Sequence, residues 1–152
     1  MKLAEALSIR AELQQNVLQI KARLLNNAKV QEGEKPLENP LELIDELNQT
    51  ISQLEQLIKN INYTNCMTIV DGNSITDLIA QKDALTKKVS ILREFLNSAS
   101  EITNRYSATE IKTYSTVDVA ELQKSLNSQS KRLRELDMKI QGINWTTELL
   151  EK

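Results

Sequence analysis

The fold is decided by the stretch DVAELQKSLNSQSKRLRELDMKIQGINWTTELL, residues 118–150. Its apolar residues recur at alternating steps of three and four, the repeat of a helix that buries one face against another helix. The rhythm breaks to a polar residue at two positions, Gln129 and Thr147. Its positions are Val119, Leu122, Leu126, Gln129, Leu133, Leu136, Ile140, Ile143, Thr147 and Leu150. This pattern predicts a long helix in coiled-coil contact.

A second stretch has the same rhythm, with seam positions Ile44, Leu47, Ile51, Leu54, Ile58 and Ile61. The chain has 152 residues, three Gly, two Pro and 3% aromatics, a composition that does not suit a β-sandwich or a barrel. We therefore predict a mainly α fold. It is an elongated antiparallel four-helix bundle, or a set of coiled-coil hairpins, with a small β-hairpin element.

The start and stop signals predict one helical domain, residues 1–152. Its helices cover about residues 2–27, 40–63, 76–105 and 118–150. Asn39 before Pro40, and Asp118 with Glu121 three residues later, are typical helix starts. Gly142 lies inside the last helix, where we expect a bend or a close approach of another helix.

Two segments between helices differ in character. Residues 66–75 place β-branched residues around Asp71-Gly72, the pair favoured in two-residue hairpin turns. Residues 106–117 are predicted to be irregular or β, because the tract from Lys112 to Val117 is rich in Thr, Tyr and Val.

The net charge of −2 argues against a nucleic-acid binder, which usually carries a basic face. The charges are nevertheless unevenly distributed. Residues 1–30 hold five Lys or Arg and two Glu, a local +3, whereas residues 31–58 hold seven acids and one Lys, a local −6. We expect two neighbouring helices to attract each other, and an acidic docking surface is the alternative.

The composition leaves few routes to catalysis. The chain has no His and a single cysteine, Cys66, which removes Ser-His-Asp and Cys-His catalysis and most zinc sites. We expect Cys66 to be buried as a packing residue. Glu42 and Asp45 lie one turn apart and leave a magnesium site open as an alternative. We predict no enzyme, no cofactor and no resident metal.

A polar cluster surrounds the second irregular segment. Its members are Arg93, Glu94, Arg105, Tyr106, Glu110, Lys112 and Asp118. Irregular segments on a rigid scaffold often bind ligands, so a small anion or a partner peptide is one interpretation. A set of ion pairs and helix caps is the other. Trp145, the sole tryptophan, flanks the seam of the last helix as an interface anchor would.

The chain has no apolar run near the roughly 18 residues that span a bilayer. Glu5 and Arg10 fall where a secretion signal would be apolar. The sequence therefore predicts a cytoplasmic protein for which membrane contact is not expected.

Four blocks of sequence carry a family resemblance: residues 27–34 (NAKVQEGE), residues 75–85 (ITDLIAQKDAL), residues 115–123 (STVDVAELQ) and residues 144–149 (NWTTEL). Together they resemble the septicolysin-like family of small bacterial proteins. The resemblance implies a bacterial helical protein of the cytoplasmic type. The family label implies a thiol-activated cytolysin, and it supplies no catalytic residues.

The leading hypothesis is a non-enzymatic coiled-coil scaffold or interaction protein that forms a homo-oligomer and could bind a protein partner. Two alternatives remain open: a thiol-dependent cytolysin that acts on membranes, and a magnesium-dependent nucleotide or phosphoester hydrolase.

Overall fold

The structure, a computed structural model, describes residues 1–101 and 111–152. Four helices account for most of them: α1 (Leu3–Asn26), α2 (Pro40–Met67), α3 (Ile75–Ser100) and α4 (Val119–Thr146). Two short antiparallel strands, β1 (Ile69–Val70) and β2 (Asn73–Ser74), lie between α2 and α3. The prediction of a mainly α chain with a small β element is confirmed. The last predicted residues of the third helix, 102–105, lie outside the described residues.

The chain divides into two compact units. The α1–α2 unit comprises Met1–Ile75 and Gln141–Lys152, and the α3–α4 unit comprises Thr76–Ile140. α4 therefore gives most of its length to the second unit and its last turns to the first.

α1 and α2 pack side by side in opposite directions within the α1–α2 unit. Ile20, Leu43 and Ile61 are buried at 1–2% exposure. The predicted seam of the second helix is correct at Leu47, Leu54, Ile58 and Ile61, which are buried or partly buried, and wrong at Ile44 and Ile51, which are 42% and 44% exposed. Leu43 is buried one position earlier, and one residue rotates a helix surface by about 100°.

The predicted helix starts are confirmed. The side chain of Asn39 accepts a hydrogen bond from the backbone N–H of Leu41 at 3.0 Å, with Pro40 at the first helical position. Oδ1 of Asp118 accepts from the backbone N–H of Glu121 at 3.1 Å. Each contact satisfies a backbone donor that has no partner inside its helix.

The hairpin forms around the predicted turn. Asp71 and Gly72 have φ values of 51° and 80°, so both central residues are left-handed, as a type I′ turn requires. α2 runs to Met67, four residues beyond its predicted end at 63. The backbone N–H of Thr68 still donates to the carbonyl of Thr64, at 3.0 Å, so the helix leads directly into the hairpin.

The last helix ends at Thr146, four residues before its predicted end at 150. Residues after it run alongside the start of the chain: the N–H of Leu3 donates to the carbonyl of Thr147 (2.9 Å), and that of Leu149 to the carbonyl of Met1 (2.8 Å). We call residues 1–3 with 147–150 the terminal clasp. Continuing the helix would forfeit these bonds, which the seam rhythm alone could not indicate.

The α3–α4 unit is built on an aliphatic seam. Val89, Leu96 and Leu126 are buried together. Partly buried residues from both helices pack against them: Leu85, Leu92, Val119, Leu122 and Leu133. Lys82 and Asp137 add one ion pair at 2.5 Å. The seam predicted for α4 is confirmed here, including the buried position of Ile140.

Candidate interaction surfaces

The structure describes three of the six residues predicted as ligand or partner contacts: Arg93, Lys112 and Trp145. Arg105, Tyr106 and Glu110 lie outside the described residues. Arg93 is exposed on α3, and Lys112 is exposed in the irregular segment 111–117. Trp145 is 65% exposed in the last turn of α4 and belongs to the α1–α2 unit, whereas Arg93 and Lys112 belong to the α3–α4 unit.

The segment 111–117 contains no strand. Its residues 113–116 instead lie against the last turns of α3 and enclose a shallow cleft of about 220 Å³ with Phe95, Ser98, Ala99 and Glu101. Asp118, a member of the predicted cluster, caps α4. The cap interpretation therefore holds for this residue.

The attraction expected between the first two helical regions is found at Arg23. Its guanidinium contacts Glu38 at 2.6 Å and Glu46 at 3.2 Å. The hydrogen bonds to Glu38 and Glu46 raise the pKa of Arg23, and the bond from Arg23 lowers the pKa of the Glu38 carboxyl. Two of the seven acids in residues 31–58 are thus paired with Arg23 within the α1–α2 unit.

Glu42, one of the two acids considered for a magnesium site, has a contact within its own helix start. The Glu42 side chain faces its own N-cap, where Nδ2 of Asn39 lies 3.5 Å from Oε1. Residues 1–101 and 111–152 contain no group of three or more Cys, Asp or Glu side chains that could hold a metal ion.

The prediction that Cys66 is buried was wrong, because this cysteine is exposed. α2 extends past it to Met67, which turns Cys66 away from the buried Ile61 and Thr64. With Lys59, Tyr63 and Lys152 it lines an open cleft of about 730 Å³.

Large apolar side chains are exposed at helical spacing on three helices. α1 carries Leu18 and Leu25, seven residues apart and 56% and 67% exposed. α2 carries Leu41, Ile44 and Ile51, which we call the α2 row, at 71%, 42% and 44% exposure. α3 carries Ile91 and Phe95, four residues apart. Side chains at these spacings share one side of a helix, so each set forms a local apolar surface.

A second surface is the α3–α4 cleft, an open groove of about 520 Å³ between those two helices. Ala84, Leu85 and Leu136 give it an apolar floor. Its charged lining residues are Lys88, Arg132, Glu135 and Lys139. This cleft was not predicted from the sequence, although its signal is present: Arg132 and Lys139 lie seven residues apart beside the α4 seam.

Among the described residues, no helix combines the length and apolarity needed to cross a bilayer. This finding agrees with the hydropathy of the sequence.

Comparisons with known proteins place the chain among relatives of undetermined role. No curated protein matches it. A solved structure matches at 38% identity with a TM-score of 0.91, covering 99% of each chain. It is described as a functionally unknown conserved protein from Corynebacterium diphtheriae. Nothing in these comparisons bears on the septicolysin-like resemblance, which stays a prediction. Residues 10–149 match the family of unknown function DUF6847, and the chain belongs to this family.

Proposed function

We propose that the protein is a non-enzymatic, self-associating helical scaffold or interaction protein. The observation that carries this proposal is the exposure of aliphatic and aromatic side chains at helical spacing on α1, α2 and α3. A coiled-coil helix pair buries one stripe of each helix, and a further apolar stripe is covered when helices of a second chain pack against it. Within this proposal, the four helices of each copy form an antiparallel bundle.

The composition supports the same proposal. The chain has one Phe, one Trp and three Tyr, so its interior is filled mainly by Leu, Ile and Val from narrow helix seams. A structure built this way has a large surface for its volume, and association is a common way to bury more of that surface. The single cysteine agrees with a reducing compartment, so we place the protein in the cytoplasm as part of the proposal.

The test is the mass of the full chain in solution, measured by light scattering after size exclusion and by sedimentation over a wide concentration range. We expect a species of at least two chains whose population rises with concentration. A mass of one chain at every concentration would contradict the proposal. The same series with Cys66→Ser distinguishes helix-mediated association from an intermolecular disulfide, because only the disulfide is lost in that variant.

A further inference from the structure

We propose that the α2 row of one copy docks into the α3–α4 cleft of a second copy, in a head-to-tail contact. The inference rests on the proposed function, since it assumes self-association, and it names the two surfaces that meet. The occupant of the cleft is therefore a helix of an identical chain.

The α2 row has the form of a helix that binds in a groove. Leu41, Ile44 and Ile51 follow one another at spacings of three and seven residues, which sets apolar anchors along one side of the helix. Residues 40–58 contain four acids and no Lys or Arg: Glu42, Asp45, Glu46 and Glu55. At about 100° per residue, Asp45 and Glu55 lie nearest the α2 row, so a surface that receives this side of the helix meets apolar and acidic side chains together.

The α3–α4 cleft suits both kinds of side chain. Its floor is aliphatic, and three of its four charged lining residues are cations. The excess of positive charge extends along α4, since residues 124–139 contain five cations and two acids: Lys124, Lys131, Arg132, Arg134, Lys139, Glu135 and Asp137. One of these acids, Asp137, is engaged with Lys82. On α2, Glu46 is engaged with Arg23 and Glu55 with Lys59. When these partners are counted, residues 40–58 contribute a charge of −2 and residues 124–139 with Lys82 a charge of +4, which are of opposite sign.

Charge also argues against the two symmetric alternatives. Pairing the α2 row with itself would bring the acidic helices of two copies together. Pairing the cleft with itself would bring together Lys88, Arg132 and Lys139 of both copies. Like charges placed opposite each other across an interface disfavour association. The head-to-tail contact joins opposite charges, and such a contact builds a ring or an open filament.

The experiment uses one variant for each surface. Ile44→Gln with Ile51→Gln removes two anchors of the α2 row and keeps good helix formers at both positions. Arg132→Glu with Lys139→Glu reverses the charge of the cleft. Leu37→Gln and Lys29→Glu are the controls, because each makes one change of the same chemical kind at an exposed position outside both surfaces. Far-UV circular dichroism confirms that each variant is helical before its mass is measured.

We expect each surface variant alone to have the mass of one chain, under conditions where the unchanged protein and both controls associate. An equimolar mixture of the two variants should recover a species of two chains, because each supplies the surface that the other lacks. Raising the salt concentration should weaken association of the unchanged protein.

The outcomes separate the inference from the proposed function. A monomeric unchanged protein contradicts both. If both surface variants form species of the same mass as the associated unchanged protein, self-association stands and the assignment of these surfaces is wrong. If only one of the two surface variants becomes monomeric, the contact is not head-to-tail. The same conclusion follows if the mixture of the two variants forms no two-chain species.

Discussion

The two helix pairs of this molecule are stabilised in different ways. In the α1–α2 unit, polar contacts between distant parts of the chain accompany the apolar seam, and the most completely buried side chains occur there: Leu3, Ile20, Ile61, Thr64 and Ile75. In the α3–α4 unit the described contacts are mainly aliphatic, and the deepest side chains, Leu78, Val89 and Leu126, keep about 3% exposure. A seam is enough to pair two helices, whereas hydrogen bonds at defined positions also fix where the pair ends.

The side chain of Thr64 shows how the α1–α2 unit is fixed. Its hydroxyl is fully buried, donates to the carbonyl of Asn60 at 2.7 Å and accepts from the backbone N–H of Leu150 at 2.9 Å. Oδ1 of Asn60 in turn accepts from the backbone N–H of Lys152 at 3.2 Å. α2 therefore holds the segment that forms the terminal clasp, through groups that aliphatic side chains could not replace.

The largest expected effect is on the α3–α4 seam. Leu126→Ala removes a side chain that is 3% exposed and leaves a cavity among Val89 and Leu96. We expect a loss of about 2–5 kcal/mol in the free energy of unfolding, measured by denaturant titration. Leu37→Ala, at a position 99% exposed, should change it little. If hydrogen exchange accelerates equally in both units of Leu126→Ala, the units unfold together and their contrast is less sharp than we describe.

The next effect tests the polar contacts of the α1–α2 unit. Thr64→Val keeps the shape of the side chain but leaves the N–H of Leu150 without its acceptor. We expect a cost of about 1–3 kcal/mol, with faster amide exchange at residues 148–152. Thr86→Val is the control, because the Thr86 hydroxyl makes the same bond to a carbonyl four residues earlier but is exposed. Unchanged exchange at 148–152 would show that Thr64 does not hold this segment.

Two glycines of the α1–α2 unit should respond to the same substitution with opposite signs. Gly72→Ala places a Cβ at a φ of +80° and should destabilise the protein by about 1–2 kcal/mol. Gly142→Ala should stabilise it by about 1 kcal/mol, because this glycine is helical and no atom lies within 4 Å of the added Cβ. Within the described residues, the close helix approach expected at Gly142 is therefore not found. Thermal unfolding measures the Tm of both variants, which we expect to fall for Gly72→Ala and to rise for Gly142→Ala. Equal changes in Tm would contradict this account.

The smallest expected effect is on the dependence of stability on pH. The pKa of Glu148 is lowered by its bond from Lys2, and that of Glu38 by its bond from Arg23. A carboxyl whose pKa is lower in the folded state stabilises that state above its unfolded pKa, near 4.3, and loses the contribution as the pH falls through the folded value. Glu148→Gln and Glu38→Gln should each flatten the acid limb of the stability curve slightly, since these groups are exposed. An unchanged slope in both would indicate that neither pair persists in solution.

The sequence predicted those elements that depend on nearby residues. The caps at Asn39 and Asp118, and the turn at Asp71-Gly72, are set by side chains within a few positions, so their local chemistry identified them. The start of the α2 seam was harder to predict, because Leu43 and Ile44 are both aliphatic and only the position of α1 decides which is buried. The end of α4 could not be predicted, since positions 147 and 150 keep the three-four spacing of the seam although the chain there leaves the helix for bonds to residues 1–3 and 64.

The candidate surfaces were less accessible to sequence reasoning for a similar reason. The α3–α4 cleft combines residues from two helices separated by more than forty positions along the chain. Its cations become one surface only once the seam sets the rotation of both helices. The predicted cluster around residues 106–117 relied instead on proximity along the chain, and the one contact described for it is the cap at Asp118.

The terminal clasp has a mechanical consequence. Its backbone bonds join residue 1 to 149 and residue 3 to 147, with the two segments antiparallel. A force that pulls the two ends of the polypeptide apart would load these bonds one after another, as in opening a zipper, and not all at once in shear. The clasp would therefore yield at a lower force than the same bonds loaded in shear, while the bonds from Leu150 and Lys152 to α2 would carry tension into that helix from the start.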